Sequence, residues 1–356
     1  MKVKLFHGEM SVLTIPYTST RWGSRMTIPI RTTVIDAGGR YGLHPTWKLF
    51  TGELDYYLFE PDSAEAARLT QKYKGRSDEI KVIDCALLDK DGTAKLFLFR
   101  NRAMSSVHKR TPVSPFFAGE RQNQVDVVDS QEVKVTSIDS FCDQNNLSVD
   151  FLKLDTEGSE YAILQGAEAQ LGGSVLGIRC EVSFDYLFEN APLFSKNHDL
   201  ILAHDFYLLN LDYNGKGDYC NEFVETNGRY GILTHCDGVW LKRRERLFDS
   251  LSLQGANAAM QARVLKYAAF CLNNHASDVA VDVLLQARRE YHLDFAALQE
   301  SRLYRFVDIS IHKLFYSLKW EPGQSLEKHR QTYFEIFNKR ILEMHEYNQS
   351  IELNPD

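Results

Sequence analysis

Short apolar runs alternate with amphipathic stretches over the first two thirds of the chain. The runs rich in β-branched and aromatic residues are predicted as strands: Thr33–Asp36, Asp55–Glu60, Lys81–Leu87, Asp150–Asp155, Val175–Val182, Phe206–Tyr213 and Gly238–Lys242. The stretches with helical spacing between them are Ser63–Tyr73, Ile138–Asn145, Ser159–Leu171 and Pro192–His204. This alternation predicts an α/β fold, in which a doubly wound, mostly parallel seven-stranded sheet carries helices on both faces.

Two segments interrupt the alternation after the third predicted strand. Lys90–Thr93 followed by Lys95–Arg100 is predicted as a hairpin that extends this strand. The polar stretch Arg102–Asp129 is predicted as a long mobile loop. Loops of this length in a compact domain are usually functional or disordered.

The pattern changes after Arg244, where glycines become sparse and apolar residues recur at helical spacing. One stripe consists of Ala258, Ala262, Leu265, Ala269 and Leu272, and a second of Tyr333, Phe337, Ile341 and Met344. Both predict an all-helical C-terminal extension, and we interpret the stripes as core packing. The predicted organisation is an N-terminal segment over 1–32, an α/β domain over 33–245 and a helical extension over 250–350.

Composition narrows the functional classes. The chain has 356 residues, 44% of them hydrophobic and 25% charged, which is typical of a globular protein. Its net charge of −7 disfavours nucleic acid as a partner. No continuous apolar run is long enough to span a membrane or to form a signal peptide. The six cysteines form no Cys-x-x-Cys pair, which favours reduced thiols and a cytoplasmic location.

The first predicted strand leads into a turn that contains three glycines: Gly38, Gly39 and Gly42. Glycines in such a turn let a ligand approach the backbone. A dinucleotide fold requires glycine at the first position of the turn, where this chain has Ala37. The alternative spacing, Asp-x-Gly-x-x-x-Gly, is complete and begins at Asp36, whose carboxylate suits a ligand with an ammonium group and repels a pyrophosphate. A tight turn without a ligand remains the structural alternative.

A second acid, Glu60, ends the next predicted strand. A carboxylate at this position can accept hydrogen bonds from both hydroxyls of a ribose, so it favours an adenosine-containing ligand. Pro61 follows it directly. The third strand ends at Asp84, Cys85 and Ala86, where the edge of an adenine would lie, although an exposed strand end is an equally simple interpretation of Asp84.

An ordered series of segments resembles the FkbM-type methyltransferases. The segments are Val34–Gly42 (VIDAGGRYG), Leu58–Asp62 (LFEPD), Ala86–Leu98 (ALLDKDGTAKLFL), Val135–Phe141 (VTSIDSF) and Val149–Ala167 (VDFLKLDTEGSEYAILQGA). The last is the most distinctive, and the resemblance covers about 33–185. It implies a Rossmann-like fold that binds S-adenosylmethionine and O-methylates a hydroxyl on a sugar, glycan or secondary metabolite. The chain departs from the family at Arg40, where a small polar residue is usual.

The resemblance also implies roles for individual residues. Asp36, Gly38 and Gly42 would hold the methionine moiety of the cofactor. Glu60 would hold its ribose, and Asp155 would lie near its sulfonium.

Methyl transfer requires alignment of the acceptor, the methyl carbon and the sulfur, and a base that accepts the acceptor's proton can assist it. Asp155 and Glu157 follow the fourth strand, at the edge of the sheet where ligands bind, and are the candidate catalytic acids. Glu157 has the alternative role of stabilising a helix N-terminus. His108 is the candidate base, with a solvated loop histidine as its alternative, and His44 and Glu181 are candidates for binding the acceptor.

The spacing of histidines and cysteines indicates no metal site, and we expect no resident metal. Mg²⁺ held by Asp155, Glu157 and Glu181 is a less favoured alternative. Two other functions stay open: an NAD-type oxidoreductase, and a non-catalytic binding module with a relic cofactor site. The expected partner is a small-molecule or glycan acceptor, and the helical extension is a candidate homodimer interface.

Overall fold

A computed structural model of the chain describes residues 2–3, 10–11, 30–111, 114, 121–217, 232–249 and 258–317. The strands are numbered from Thr32 onward: β1 (Thr32–Ala37), β2 (Leu54–Phe59), β3 (Ile80–Ile83), β4 (Ala86–Leu87), β5 (Gly92–Phe99), β6 (Val127–Thr136), β7 (Phe151–Leu154), β8 (Gly177–Ser183), β9 (Phe206–Gly217) and β10 (Ile232–Lys242). Before them, Lys2–Val3 pairs antiparallel with Met10–Ser11.

The α-helices are α1 (Ser63–Lys72), α2 (Arg121–Gln124), α3 (Ile138–Asn145), α4 (Glu160–Gln165), α5 (Glu168–Gly172), α6 (Phe194–Ala203), α7 (Arg244–Asp249), α8 (Ala258–Asn273), α9 (Ser277–Arg289) and α10 (Arg302–Ser317). The 3₁₀ turns are Pro45–Phe50, Lys74–Arg76, Arg102–Met104 and Ala296–Leu298. None of the helices within the described ranges has the length and apolar character to cross a membrane.

The main sheet confirms the predicted fold class. Its seven strands have the order β9-β10-β8-β7-β1-β2-β3, and only β10 runs against its neighbours. The chain moves outward from β1 to β2 and β3, then returns to β7 on the other side of β1. The carboxyl ends of β1 and β7 therefore flank the point where the strand order reverses, which is where open α/β sheets bind ligands.

The prediction of a hairpin on the third strand is wrong. β5 pairs antiparallel with β6, and the two-residue β4 pairs parallel with β6, so these strands form a separate three-stranded sheet. β6 begins at Val127, inside the stretch that the sequence predicts as a loop. Its first six residues are exposed or half-buried, so the strand lacks the apolar alternation that would have revealed it.

The predicted helix Ser159–Leu171 is two short helices, α4 and α5. They are separated at Gly166, where a β-carbon would overlap the carbonyl oxygen of Leu88. The backbones approach so closely that only glycine fits, and the helix axis is interrupted there.

The C-terminal helices complete the core on one face of the sheet. Phe270 of α8 stacks on Phe151 of β7 with ring centroids 4.8 Å apart, and on Trp47 at 6.0 Å. Glu53, just before β2, accepts hydrogen bonds from the first two backbone amides of α10, at 2.7 and 3.0 Å. The helical extension is confirmed as far as residue 317, and the stripe from Tyr333 to Met344 lies outside the described residues.

Candidate functional site

A cavity opens at the carboxyl edge of the main sheet, between this edge and the three-stranded sheet. Its wall is formed by the ends of β1, β2 and β7 and by the loop after β5. The lining residues include Gly38, Arg40, Glu60, Pro61, Cys85, Ala86, Arg102, Ser106, Asp155 and Glu157. Residues from four of the family-like segments therefore meet around one space.

The glycine turn lies at the floor of this cavity. Gly38 has φ of +82°, and a β-carbon there would overlap the backbone carbonyl oxygen of Asp155. Gly42 has φ of +89°, and its β-carbon would overlap the hydroxyl of Tyr73; at Gly39 the obstacle is the side chain of Leu58. The protein's own packing thus requires all three glycines, and only Gly38 lines the cavity.

Glu60 lines the cavity directly after β2 and is 5% exposed. Burial raises its pKa to about 7, although the backbone amide of Asp62, which donates to Oε1 at 2.9 Å, and the nearby Arg40 both oppose this shift. Arg40 itself forms an ion pair with Asp62 at 3.3 Å. Within the part of the chain that the structure describes, Glu60 forms no ion pair, and it lines the cavity.

Asp36 lies beneath the turn and is fully buried. It accepts a hydrogen bond from the Tyr56 hydroxyl, and its Oδ1 lies 3.2 Å from the ammonium of Lys153. Burial raises the pKa of Asp36, while Lys153 and Tyr56 lower it. The sequence predicts that Asp36 binds the ammonium group of a ligand. In the structure its carboxylate contacts the ammonium of Lys153, on the neighbouring strand, and Asp36 is not among the residues that line the cavity.

Lys153 also lies 3.2 Å from Oδ2 of Asp155, so it links the two acids. Its side chain is 9% exposed, and burial opposes its charge, but Asp155 and Asp36 hold its pKa above the ordinary value. The side chain of Asp155 is 41% exposed and reaches the cavity. Asp36, Lys153 and Asp155 therefore form a chain of alternating charges that ends at the cavity.

The candidates for contact with an adenine divide into two groups. Cys85 and Ala86 line the cavity. Asp84 is exposed, lies outside the lining and accepts a hydrogen bond from the hydroxyl of Ser63 at 3.1 Å.

Three acids converge beside the end of β7. The side chains of Asp155, Glu157 and Glu181 each place a carboxylate oxygen within 4.8 Å of the others. Burial raises the pKa of Glu157 and of Glu181, and the neighbouring acids raise both further. Carboxylates this close together either share protons or bind a cation. These two glutamates can therefore hold a proton where an exposed glutamate would be ionised.

Glu160 shapes the turn that carries Glu157. Its carboxylate accepts hydrogen bonds from the backbone amide and hydroxyl of Thr156, at 2.6 and 2.8 Å, and from the amide of Gly158 at 3.0 Å. Glu157 has φ of +60°, an uncommon conformation for a residue with a side chain. The hydroxyl of Ser106 donates to the carbonyl oxygen of Glu157 at 2.6 Å and fixes the turn from the opposite wall.

His108 follows the lining residues Ser106 and Val107. Its Nδ1 lies 3.1 Å from the carbonyl oxygen of Glu189, and burial lowers the pKa of the ring. Since a carbonyl only accepts, Nδ1 carries the proton in this hydrogen bond, and Nε2 keeps a lone pair. This arrangement gives the ring the tautomer that a general base needs.

His44 precedes the 3₁₀ turn Pro45–Phe50 and caps it, since Nδ1 accepts from the amide of Thr46 at 3.3 Å. Burial, followed by the positive charges of Lys153 and Arg179, lowers its pKa to about 3. A ring that stays neutral and is engaged through Nδ1 is a weak base. It can contact a ligand only through its other nitrogen.

The site residues that were not predicted from the sequence include Lys153, Ser106 and Arg102. Lys153 had a readable signal, because it interrupts a run of apolar residues in a strand buried on both faces, and a buried lysine requires an acidic partner. Ser106 and Arg102 had none, since they belong to a polar stretch whose path depends on the pairing of β5 with β6.

The fold is that of an α/β protein with a cavity at the switch point of its main sheet. A family model described as the methyltransferase FkbM domain matches residues 36–214, half of the chain, and the chain belongs to this family. The search of curated proteins finds no match.

Solved structures similar to this chain include the methyltransferase FkbM from Methylobacillus flagellatus KT (15% identity, TM-score 0.37), and the match covers 59% of this chain and 43% of that one. The chain therefore spans less than half the length of that protein. Sp1610 of Streptococcus pneumoniae, a putative tRNA (m1A22) methyltransferase, matches with 11% identity over 87% of this chain and 94% of its own, with a TM-score of 0.29. M. capricolum TrmK in complex with S-adenosyl-homocysteine matches with 10% identity over 79% and 93%, also with a TM-score of 0.29.

Proposed function

We propose that this member of the FkbM family transfers a methyl group from S-adenosylmethionine to a hydroxyl on a sugar, glycan or secondary metabolite. One observation carries the proposal: Gly38, Glu60 and Asp155, which end three different strands, line one cavity at the switch point of the sheet. Glu60 would accept the ribose hydroxyls, Cys85 and Ala86 would contact the adenine, and Gly38 would admit the methionine part.

The acids beyond the turn would serve the transfer itself. Asp155 would lie near the sulfonium of the cofactor. Glu157 and Glu181 would line the space for the acceptor. His108, anchored through Nδ1, would accept the proton of the acceptor hydroxyl. Since the sulfonium already activates the methyl carbon, the residues mainly need to align it with the acceptor oxygen, and no resident metal is needed.

Cofactor binding is tested by calorimetry with S-adenosylhomocysteine, the product form of the cofactor. We expect saturable binding to the wild type and at least about tenfold weaker binding to Glu60→Gln, which keeps the size of the side chain but removes its charge. The matched control is Glu65→Gln, on the neighbouring helix α1, where the acid pairs with Arg68 at 2.6 Å. Binding of NADH instead of S-adenosylhomocysteine would favour an oxidoreductase and overturn the proposal.

The acceptor class is tested with radiolabelled S-adenosylmethionine and a panel of hydroxylated, amine-bearing and thiol-bearing acceptors. We expect label in the hydroxylated group only, as an ether stable to mild base. Label on nitrogen or sulfur would contradict O-methylation, and cofactor binding without turnover on any acceptor would favour a non-catalytic module.

A further inference from the structure

A pair of opposite charges, Asp36 and Lys153, lies beneath the glycine turn. Asp36 and Lys153 are direct neighbours across the parallel pair β1–β7 and lie on the same face of the sheet. Phe151, two positions before Lys153, packs on that face into the aromatic core with Trp47 and Phe270. Lys153 lies at the carboxyl end of this apolar face, where its ammonium contacts Asp36 and Asp155, each at 3.2 Å.

Both partners of Lys153 are acids, but their surroundings differ. Asp36 is 1% exposed at its side chain and is held a second time by the hydroxyl of Tyr56, so a ligand cannot reach it without displacing the turn above. Asp155 is 41% exposed and lines the cavity, and Lys153 contacts it through Oδ2. The ammonium of Lys153 therefore occupies the place that a ligand ammonium would need at Asp36. The same ammonium also forms an ion pair with Oδ2 of Asp155.

We propose that Lys153 is a positioning residue, which neutralises Asp36 and orients Asp155 toward the α-ammonium group of the cofactor. The inference rests on the proposed function. It assigns recognition of the ligand's ammonium to Asp155 and gives Asp36 a role that acts only through Lys153.

The first test is a double-mutant cycle on the affinity for S-adenosylhomocysteine. We expect Lys153→Met and Asp36→Asn each to weaken binding at least about tenfold, and the double variant to be no weaker than the poorer single variant, because both changes remove the same support. Lys266→Met is the matched control: its ammonium lies 2.7 Å from Asp150 in a similarly buried pair at the opposite edge of the sheet. Affinity in this control should equal that of the wild type.

The second test compares S-adenosylhomocysteine with its analogue that lacks the α-amino group. The wild type should prefer the parent compound, Asp36→Asn should keep this preference, and Asp155→Asn should lose it. A loss of general packing would weaken both compounds equally and would leave their ratio unchanged. Asp155 is partly exposed, so we expect Asp155→Asn to fold. The comparison of the two compounds therefore tests the inference even if Lys153→Met fails to fold.

The outcomes separate the inference from the function on which it rests. If the wild type binds neither compound, the proposed function fails. If the wild type binds but Asp36→Asn alone loses the preference for the amino group, Asp36 contacts the ligand and the inference is overturned. The inference is also overturned if Lys153→Met binds as tightly as Lys266→Met.

Discussion

If Glu60 binds the cofactor as proposed, its charge couples the stability of the protein to ligand binding. Burial raises its pKa from 4.5 to about 7, so the folded protein favours the protonated form. This contribution to stability is complete below the unfolded pKa of 4.5 and is lost as the pH rises through about 7. One pKa unit is worth about 1.4 kcal/mol, so ionisation of Glu60 costs the ligand-free protein on the order of 3 kcal/mol at high pH.

We therefore predict that the affinity for S-adenosylhomocysteine rises between about pH 6 and pH 8, because in the proposed site the ionised carboxylate of Glu60 accepts both ribose hydroxyls. Glu60→Gln should remove this pH dependence and should raise the melting temperature at about pH 8 more than at about pH 5. Calorimetry and thermal unfolding at both pH values check the prediction. An affinity in the wild type that is flat across this range would contradict it.

At Gly38 the backbone conformation and a close backbone contact exclude any residue with a β-carbon. Its φ is positive, and a β-carbon would overlap the carbonyl of Asp155, which belongs to the neighbouring strand end. We predict that Gly38→Ala lowers the free energy of unfolding by more than about 2 kcal/mol and also displaces Asp155, so that cofactor affinity falls. Denaturant unfolding provides the measurement. Gly172→Ala, at a helical position with nothing within 4 Å of the added carbon, should change neither property.

Among the secondary-structure elements, buried strands could be predicted from the sequence and exposed strands could not. β7 and β8 appeared within two residues of their bounds, since strands covered on both faces show as continuous apolar runs. β6 was missed because its residues face solvent over much of its length. For the same reason the wall of the cavity that Arg102 and Ser106 supply could not be located, whereas the strand ends Glu60 and Asp155 could.

The helix α8 belongs to the core of the sheet, although the family model ends at residue 214. Phe270 is 1% exposed and stacks on the rings of Phe151 and Trp47. We predict that Phe270→Ala lowers the free energy of unfolding by about 3–5 kcal/mol, because its side chain leaves a cavity against the sheet. The control is Ile309→Ala in α10, a residue 53% exposed, for which denaturant curves should shift by less than about 1 kcal/mol.

For the molecule as a whole, the hydrophobic core crosses the predicted boundary between the α/β domain and the helical extension. One cluster of buried residues joins the strand residues Val34, Leu54 and Val239 to Leu265 of α8 and Val283 of α9. Elements that share one core usually unfold together. The cluster also reaches the glycine turn, because Leu58, which lies against Gly39, and Tyr73, which lies against Gly42, belong to it.

We predict that the sheet and the helical extension melt in one transition and that S-adenosylhomocysteine raises the midpoint of both together. At a concentration about one hundred times the dissociation constant, the ligand should add about 2.7 kcal/mol to the free energy of unfolding. The measurement follows tryptophan fluorescence, helical circular dichroism and heat capacity on the same sample. Two separate transitions, of which the ligand shifts only the first, would mean that the helices fold independently of the sheet. A single transition that the ligand shifts would mean that the helical extension and the cofactor site share one cooperatively folded core.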